Sequence, residues 1–153
     1  MAKVKYDMMD SDLASAVLSE AKSVYGLKTY ISLFSSAGVG CYGFKEEGFY
    51  CIATVELLER RLKIQSYNHK CAYKSGYICG DMTLQETKDK VFNELTLWKS
   101  ALNVTDLDVL IATPPCQGMS VANHKKKDEL KRNSLVVELS LIHISEPTRP
   151  RLI

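Results

Sequence analysis

The sequence predicts an α/β fold in which a mostly parallel, doubly wound sheet is covered by helices on both faces. Short β-branched segments alternate with longer segments of helical periodicity. The second short segment, YCIATVE at 50–56, is apolar almost throughout, as strands buried on both faces are. The connections are long enough for right-handed crossover helices. The 153 residues, 46% hydrophobic and 25% charged, have the size and composition of one globular domain.

The first half of the chain predicts a leading helix and two strands. Residues 11–25 carry apolar side chains at helical spacing and predict an amphipathic helix. TYISLF at 29–34 predicts the first strand, which runs into the small-residue segment SSAGVGCYG. CYGFKEE predicts a short helix, and the second strand, at 50–56, ends on Glu56.

The second half predicts two further helices and two further strands. LLERRLKIQSYNH at 57–69 indicates a helix, and YICGDM at 77–82 indicates a short third strand. A capping box of Thr83 and Glu86 is expected to open the next helix. The fourth strand, LDVLIAT at 107–113, leads directly into PPCQGMS. We expect a sheet truncated after about four strands.

Composition excludes several classes of protein. The net charge of +2 does not demand a polyanionic partner. The N-terminal residues lack the apolar core of a signal peptide, and no apolar run approaches the roughly 18 residues of a membrane span. The five cysteines include no CxxC pair, so we expect a cytoplasmic protein with free thiols, no membrane association and no metal site.

In a doubly wound sheet, ligands bind beyond the carboxyl ends of the strands where the strand order reverses, commonly between the first strand and the fourth. If strands one and four are neighbours here, SSAGVG and PPCQG share one crevice. Gly38, Gly40 and Gly43 form a G-x-G-x-x-G pattern after strand one, and Glu56 follows Gly38 by 18 residues. This pattern fits a dinucleotide or any other adenosine cofactor, whose ribose hydroxyls the acid would bind. The alternative is a turn that only lets a helix pack on a strand.

Asp81 follows the third strand and reaches the same edge of the sheet. Its carboxylate could accept a hydrogen bond from an adenine amine while Met82 packs against the ring. The alternative is a turn aspartate that caps the following helix.

Cys116 follows the fourth strand, so its thiol is expected at the ligand-binding edge. Pro114 and Pro115 fix the backbone that approaches it. Such preorganisation suits a thiolate nucleophile. The remaining cysteines are expected to be small buried hydrophobes, namely Cys41, Cys51, Cys71 and Cys79.

SLFSSAGVG, the strand-terminal Glu56, GDM and PPCQGMS resemble, in order and spacing, the opening motifs of the DNA cytosine-5 methyltransferases over residues 29–138. The resemblance implies the cofactor S-adenosyl-L-methionine, a double-stranded DNA substrate and a separate DNA-recognition domain. A cognate restriction endonuclease is a further partner compatible with it. The family reaction would have the thiolate add to C6 of a flipped cytosine, after which C5 takes the methyl group.

The resemblance also assigns residues. The nucleophile is Cys116. Cofactor contacts fall on Phe34, Ser36, Ala37, Gly38, Glu56, Leu57, Asp81, Met82, Pro115 and Leu135. The basic segment HKKKDELKR is either a solvated turn or a lid that approaches phosphates. The DNA contacts expected are Gln117, Ser120, Lys125, Lys126, Lys127 and Arg132.

This chain departs from the family pattern in two ways. Ser36 and Val39 stand where glycines are usual, and a serine costs little if its φ is ordinary. Family motifs that follow RNSLVVE, including the glutamate that contacts the cytosine ring, are missing. We therefore expect a leading helix at 1–28, the N-terminal part of the catalytic domain at 29–139 and a non-native tail at 140–153, with no activity of this chain alone.

Two rival functions use the same glycines. A nicotinamide-dependent oxidoreductase of the same fold has no evident use for the PPCQ segment. A protein that binds the cofactor without catalysing a reaction needs the turn and the acids but not the thiol.

Overall fold

The computed structural model of the chain describes residue 18, residues 26–104 and residues 106–114. Its centre is a sheet of four parallel strands in the order β3-β2-β1-β4. The predicted parallel, doubly wound class is therefore confirmed. The strands are β1 Lys28–Leu33, β2 Phe49–Glu56, β3 Tyr77–Cys79 and β4 Val109–Ala112.

Helices connect consecutive strands, as parallel pairing requires. They are α1 Tyr42–Glu46, α2 Glu59–Tyr67 and α3 Gln85–Leu102, with single 3-10 turns at Val39–Cys41 and Lys74–Gly76. Among the described residues no helix is both long and apolar enough to cross a membrane. Of the predicted leading helix the structure describes only Leu18, which is helical and fully buried in the core. The rest of it lies outside the described residues.

The strand order reverses beside β1. The chain moves from β1 to β2 and β3 on one side and then returns to place β4 on the other, where Tyr30 pairs with Val109 and Leu33 with Ala112. Strands one and four are therefore neighbours, which is the condition for a shared crevice. The carboxyl ends of β1 and β4 thus meet at the position where doubly wound proteins bind their ligands.

Apolar side chains cover both faces of the sheet. The main core joins β1 and β2 to α3, which buries Val91, Trp98 and Leu102. The other face carries a smaller cluster of Tyr30, Cys41, Cys51 and Cys71, bordered by α1.

Three cysteines match the prediction and one does not. Cys41, Cys51 and Cys71 are buried free thiols. The Cys71 Sγ lies 3.6 Å from the Cys51 Sγ, and burial raises the pKa of the Cys71 thiol, which therefore stays protonated. Cys79 is exposed, contrary to prediction, because β3 is a three-residue strand at the rim of the sheet.

The predicted capping box is wrong. Helix α3 begins at Gln85, its N-cap residue is Leu84, and no side chain caps it. The Thr83 hydroxyl instead donates to Asp81 Oδ1, 2.9 Å away, so Thr83 belongs to the preceding turn. Glu86 instead forms an ion pair with Lys90, one helical turn later, in which Lys90 Nζ lies 2.6 Å from Glu86 Oε1.

Candidate cofactor-binding edge of the sheet

The chain leaves β1 in a tight turn built from left-handed residues. Phe34, Ser36 and Gly38 have φ angles of 54°, 51° and 85°. The condition under which a serine costs little here, an ordinary φ, is therefore not met. A residue with a Cβ is disfavoured in this region, so the surrounding groups must hold the serine there.

Glu56, at the end of β2, holds the turn from one side. Its Oε2 accepts the Ser36 N–H at 2.8 Å, and its Oε1 accepts the Leu58 N–H at 3.2 Å. Arg61 of α2 donates to the same Oε1 at 3.1 Å. Glu56 is only 5% exposed, so these donors compensate the burial of its carboxylate. A carboxylate has about four acceptor sites, which leaves one on Oε2 for a further donor.

Gln65 of α2 also stabilises the turn, through its side-chain amide. Its Nε2 donates to the Ser36 carbonyl at 2.6 Å and to the Ser35 hydroxyl at 2.8 Å. Its Oε1 accepts from Thr54 at 2.7 Å and from Lys70 at 3.0 Å. Gln65 is 1% exposed, and its amide uses all of its hydrogen-bonding capacity.

The segment after β2 and the segment after β3 supply the remaining predicted contacts. Leu57 is 62% exposed, so its side chain is accessible to a ligand. Asp81 Oδ1 accepts from the N–H and the hydroxyl of Thr83, so Asp81 stabilises a turn but does not cap α3. Its Oδ2 makes no hydrogen bond within the described residues. Met82 is 2% exposed and belongs to the main core, so its packing against a ring stays a prediction.

Two hydrogen bonds join the end of β1 to the end of β4. The Thr113 hydroxyl donates to the Phe34 carbonyl at 3.0 Å, and the Thr113 N–H donates to the Leu33 carbonyl at 3.2 Å. The residue before the two prolines is thereby fixed to the start of the turn. Predicted contacts beyond Pro114 lie outside the described residues, namely Pro115, Cys116, Gln117, Ser120, Lys125, Lys126, Lys127, Arg132 and Leu135.

The structure thus brings the predicted turn, Glu56 and Asp81 to one edge of the sheet. The sequence reasoning missed three residues that organise this edge, namely Arg61, Gln65 and Thr113. A signal existed for Gln65, which lies three positions after the buried Leu62 on the inner face of α2, where a polar residue needs partners. Within the described ranges no cluster of three or more histidine, cysteine or acidic residues could hold a metal ion.

Comparison with known proteins identifies the family. Residues 28–153 match the family model described as C-5 cytosine-specific DNA methylase. The chain is 38% identical over 108 residues to the Type II methyltransferase M1.HgaI of Avibacterium volantium, an alignment that covers 69% of this chain and 26% of that protein.

Two further relatives agree. The DNA-cytosine methyltransferase of Escherichia coli (strain K12) is 30% identical over 106 residues, covering 67% of this chain and 22% of its own length. The Type II methyltransferase M.DdeI of Desulfomicrobium norvegicum is 31% identical over 109 residues, an alignment that covers 71% of this chain and 23% of that protein. This chain spans about a quarter of the length of the curated relatives it matches. Through a match that includes the turn after β1, the acids that follow β2 and β3, and the PPCQ segment, the chain belongs to the C-5 cytosine-specific DNA methylase family.

Proposed function

We propose that the whole protein transfers a methyl group from S-adenosyl-L-methionine to C5 of cytosine in double-stranded DNA. The observation that carries the proposal is that the turn after β1, Glu56 and Asp81 share one edge of a parallel sheet with the end of β4. The family match supports the same reaction. Because the alignments cover only about a quarter of each matched relative, the reaction is one of the whole protein, and this segment supplies the cofactor side of the site and the thiol.

The described residues fit an adenosine-bearing cofactor. The remaining acceptor site of Glu56 Oε2 would bind a ribose hydroxyl, and Asp81 Oδ2 would accept from the adenine amine. The exposed side chain of Leu57 would pack on one face of the adenine, and the half-buried Phe34 would flank it. Pro115 and Leu135 are proposed as further pocket residues from the family resemblance. The cofactor supplies an electrophilic methyl group to the site.

Cys116 is proposed as the nucleophile. Its thiolate adds to C6 of cytosine, which breaks the C5–C6 double bond and makes C5 nucleophilic. C5 would then take the electrophilic methyl group that S-adenosyl-L-methionine supplies, with the cofactor leaving as the neutral thioether. Transfer of the C5 proton to water would then restore the double bond and expel the Cys116 thiolate. The buried, protonated thiol of Cys71 is not suited to this role.

The DNA contacts are proposals from the sequence. Lys125, Lys126, Lys127 and Arg132 would bind phosphates, while Gln117 and Ser120 would lie beside the extruded base. Two relatives are named as Type II methyltransferases, which makes a cognate restriction endonuclease a reasonable partner to test. We also propose that the protein is cytoplasmic.

The test is the Cys116→Ser variant of the full-length protein. A serine hydroxyl is nearly isosteric with the thiol but a far weaker nucleophile at neutral pH, so methyl transfer should be lost while S-adenosyl-L-methionine still binds. Incorporation of tritium from labelled cofactor into cytosine-containing duplex measures the transfer. Full activity of the serine variant would refute the covalent mechanism. Titration of the wild-type protein with S-adenosyl-L-methionine and with NAD separates the proposal from the oxidoreductase alternative.

A further inference from the structure

Ser36 has a left-handed backbone conformation that its own side chain disfavours. Both of its peptide groups are held. Its N–H donates to Glu56 Oε2 at 2.8 Å, and its carbonyl accepts from Gln65 Nε2 at 2.6 Å. Glu56, the residue proposed to bind the ribose, provides the first of these restraints. Gln65, to which the resemblance assigns no role, provides the other.

The orientation of the Gln65 amide is determined by Lys70. An ammonium group can only donate, so the amide atom 3.0 Å from Lys70 Nζ must be the oxygen. Lys70 also donates to the Thr54 hydroxyl at 2.9 Å, which therefore directs its own hydrogen to the same amide oxygen. The amide NH2 group is left to point at the turn.

The same side chain contacts the turn on both sides of Ser36. Nε2 also donates to the Ser35 hydroxyl, which in turn donates to the Val55 carbonyl at 3.1 Å. A Cβ placed on Gly38 would lie 3.0 Å from Gln65 Cγ. Gln65 therefore fixes the turn by hydrogen bonds at one end and by close packing at the other.

We propose that Gln65 is a positioning residue that holds residues 36–38 in the conformation that binds S-adenosyl-L-methionine. This inference rests on the proposed function. Because Gln65 is 1% exposed and its amide is fully hydrogen-bonded within the protein, it would act through the backbone of the turn and not by direct contact with the cofactor. Its role is to offset the conformational cost of Ser36, which a glycine at that position would not incur.

The experiment uses the full-length protein and isothermal titration with S-adenosyl-L-methionine. Gln65→Met keeps the length of the side chain and removes both donors. We expect the Kd for the cofactor to rise about tenfold, with kcat at saturating cofactor nearly unchanged. Adding Ser36→Gly to this variant should recover most of the affinity, because glycine adopts the left-handed conformation unaided.

Val91→Ala is the matched control. It removes buried volume from α3 in the main core, so it should lower the Tm while leaving the Kd within about twofold of the wild type. If Gln65→Met does not fold, Ser35→Ala takes its place, since it removes one acceptor of the amide; it should raise the Kd by a smaller factor, which Ser36→Gly again recovers.

The outcomes separate the two claims. Wild-type protein that fails to bind S-adenosyl-L-methionine overturns the proposed cofactor and this inference together. Wild-type protein that binds it, with a Gln65→Met variant of equal affinity, overturns the positioning role alone. A weakened variant that Ser36→Gly does not improve also overturns it, since the effect then does not pass through the turn.

Discussion

Replacing Glu56 with glutamine should lower the free energy of unfolding by about 1–2 kcal/mol, because an amide cannot accept on both sides. The carboxylate of Glu56 receives Ser36 N–H on one oxygen, and Leu58 N–H with Arg61 on the other. Glutamine has one oxygen, so its NH2 group must face a donor in either orientation.

The structure indicates which orientation costs less. If the NH2 group faces Ser36, the left-handed turn loses a restraint together with a hydrogen bond to a charged acceptor, at about 1.5–3 kcal/mol. If it faces Leu58 and Arg61, the donors that lose their acceptor lie near solvent. The Arg61 side chain is 41% exposed, so its ion pair contributes only about 0–1 kcal/mol. We therefore expect the second orientation, which keeps the bond to Ser36.

Urea unfolding of the chain, followed by the fluorescence of Trp98, measures the effect, since this single tryptophan is fully buried. Arg61→Met alone should cost less than about 1 kcal/mol. The double variant should be less destabilised than the sum of the two single effects. Without the Arg61 guanidinium, the glutamine NH2 group no longer faces a second donor at that position. Strict additivity, or a Glu56→Gln variant as stable as the wild type, would contradict the reasoning.

Three further predictions concern DNA binding, pH dependence and the turn. Replacing the three lysines at 125–127 with alanine should flatten the plot of log K against log salt by about 0.9 for each phosphate that the variant no longer binds, with sequence preference unchanged; an unchanged slope would indicate a solvated turn. Burial raises the pKa of the Glu94 carboxyl, so the folded chain binds more protons than the unfolded chain and loses stability as pH rises through that window. Glu94→Gln should therefore stabilise the chain in urea unfolding at pH 7 but not below about pH 4, and equal gains at both would contradict this. Gly38→Ala should destabilise the chain by about 1–2 kcal/mol, because φ is 85° and the new Cβ would meet Gln65 at 3.0 Å, whereas Gly40→Ala, with open space around it, should be close to neutral.

The sequence by itself determined the parallel sheet, the alternation of strands and helices and the edge where the site lies. Hydrophobic periodicity is a local property, and right-handed crossovers then leave few topologies. The position of Glu56 and Asp81 at strand ends also follows from local pattern, since Glu56 closes one apolar segment and Asp81 follows another after a single glycine. The general rule for doubly wound sheets makes strands one and four the common position of the site, but only the structure shows that they are neighbours here.

Only the tertiary structure decided how the site is held. The partners of Ser36 come from β2 and α2, and its bond to Gln65 spans 29 positions of sequence; the bond from Thr113 to Phe34 spans 79. The left-handed φ of Ser36 is likewise a consequence of these partners, because nothing in the local sequence favours it over an ordinary turn. By contrast, the place of Thr83 is settled locally, because its N–H and hydroxyl both donate to Asp81 two residues earlier and the residue lies in that turn instead of capping α3. Hydrogen-bond geometry between distant segments exists only after the sheet and helices have packed, which is why periodicity could locate the site but not describe its support.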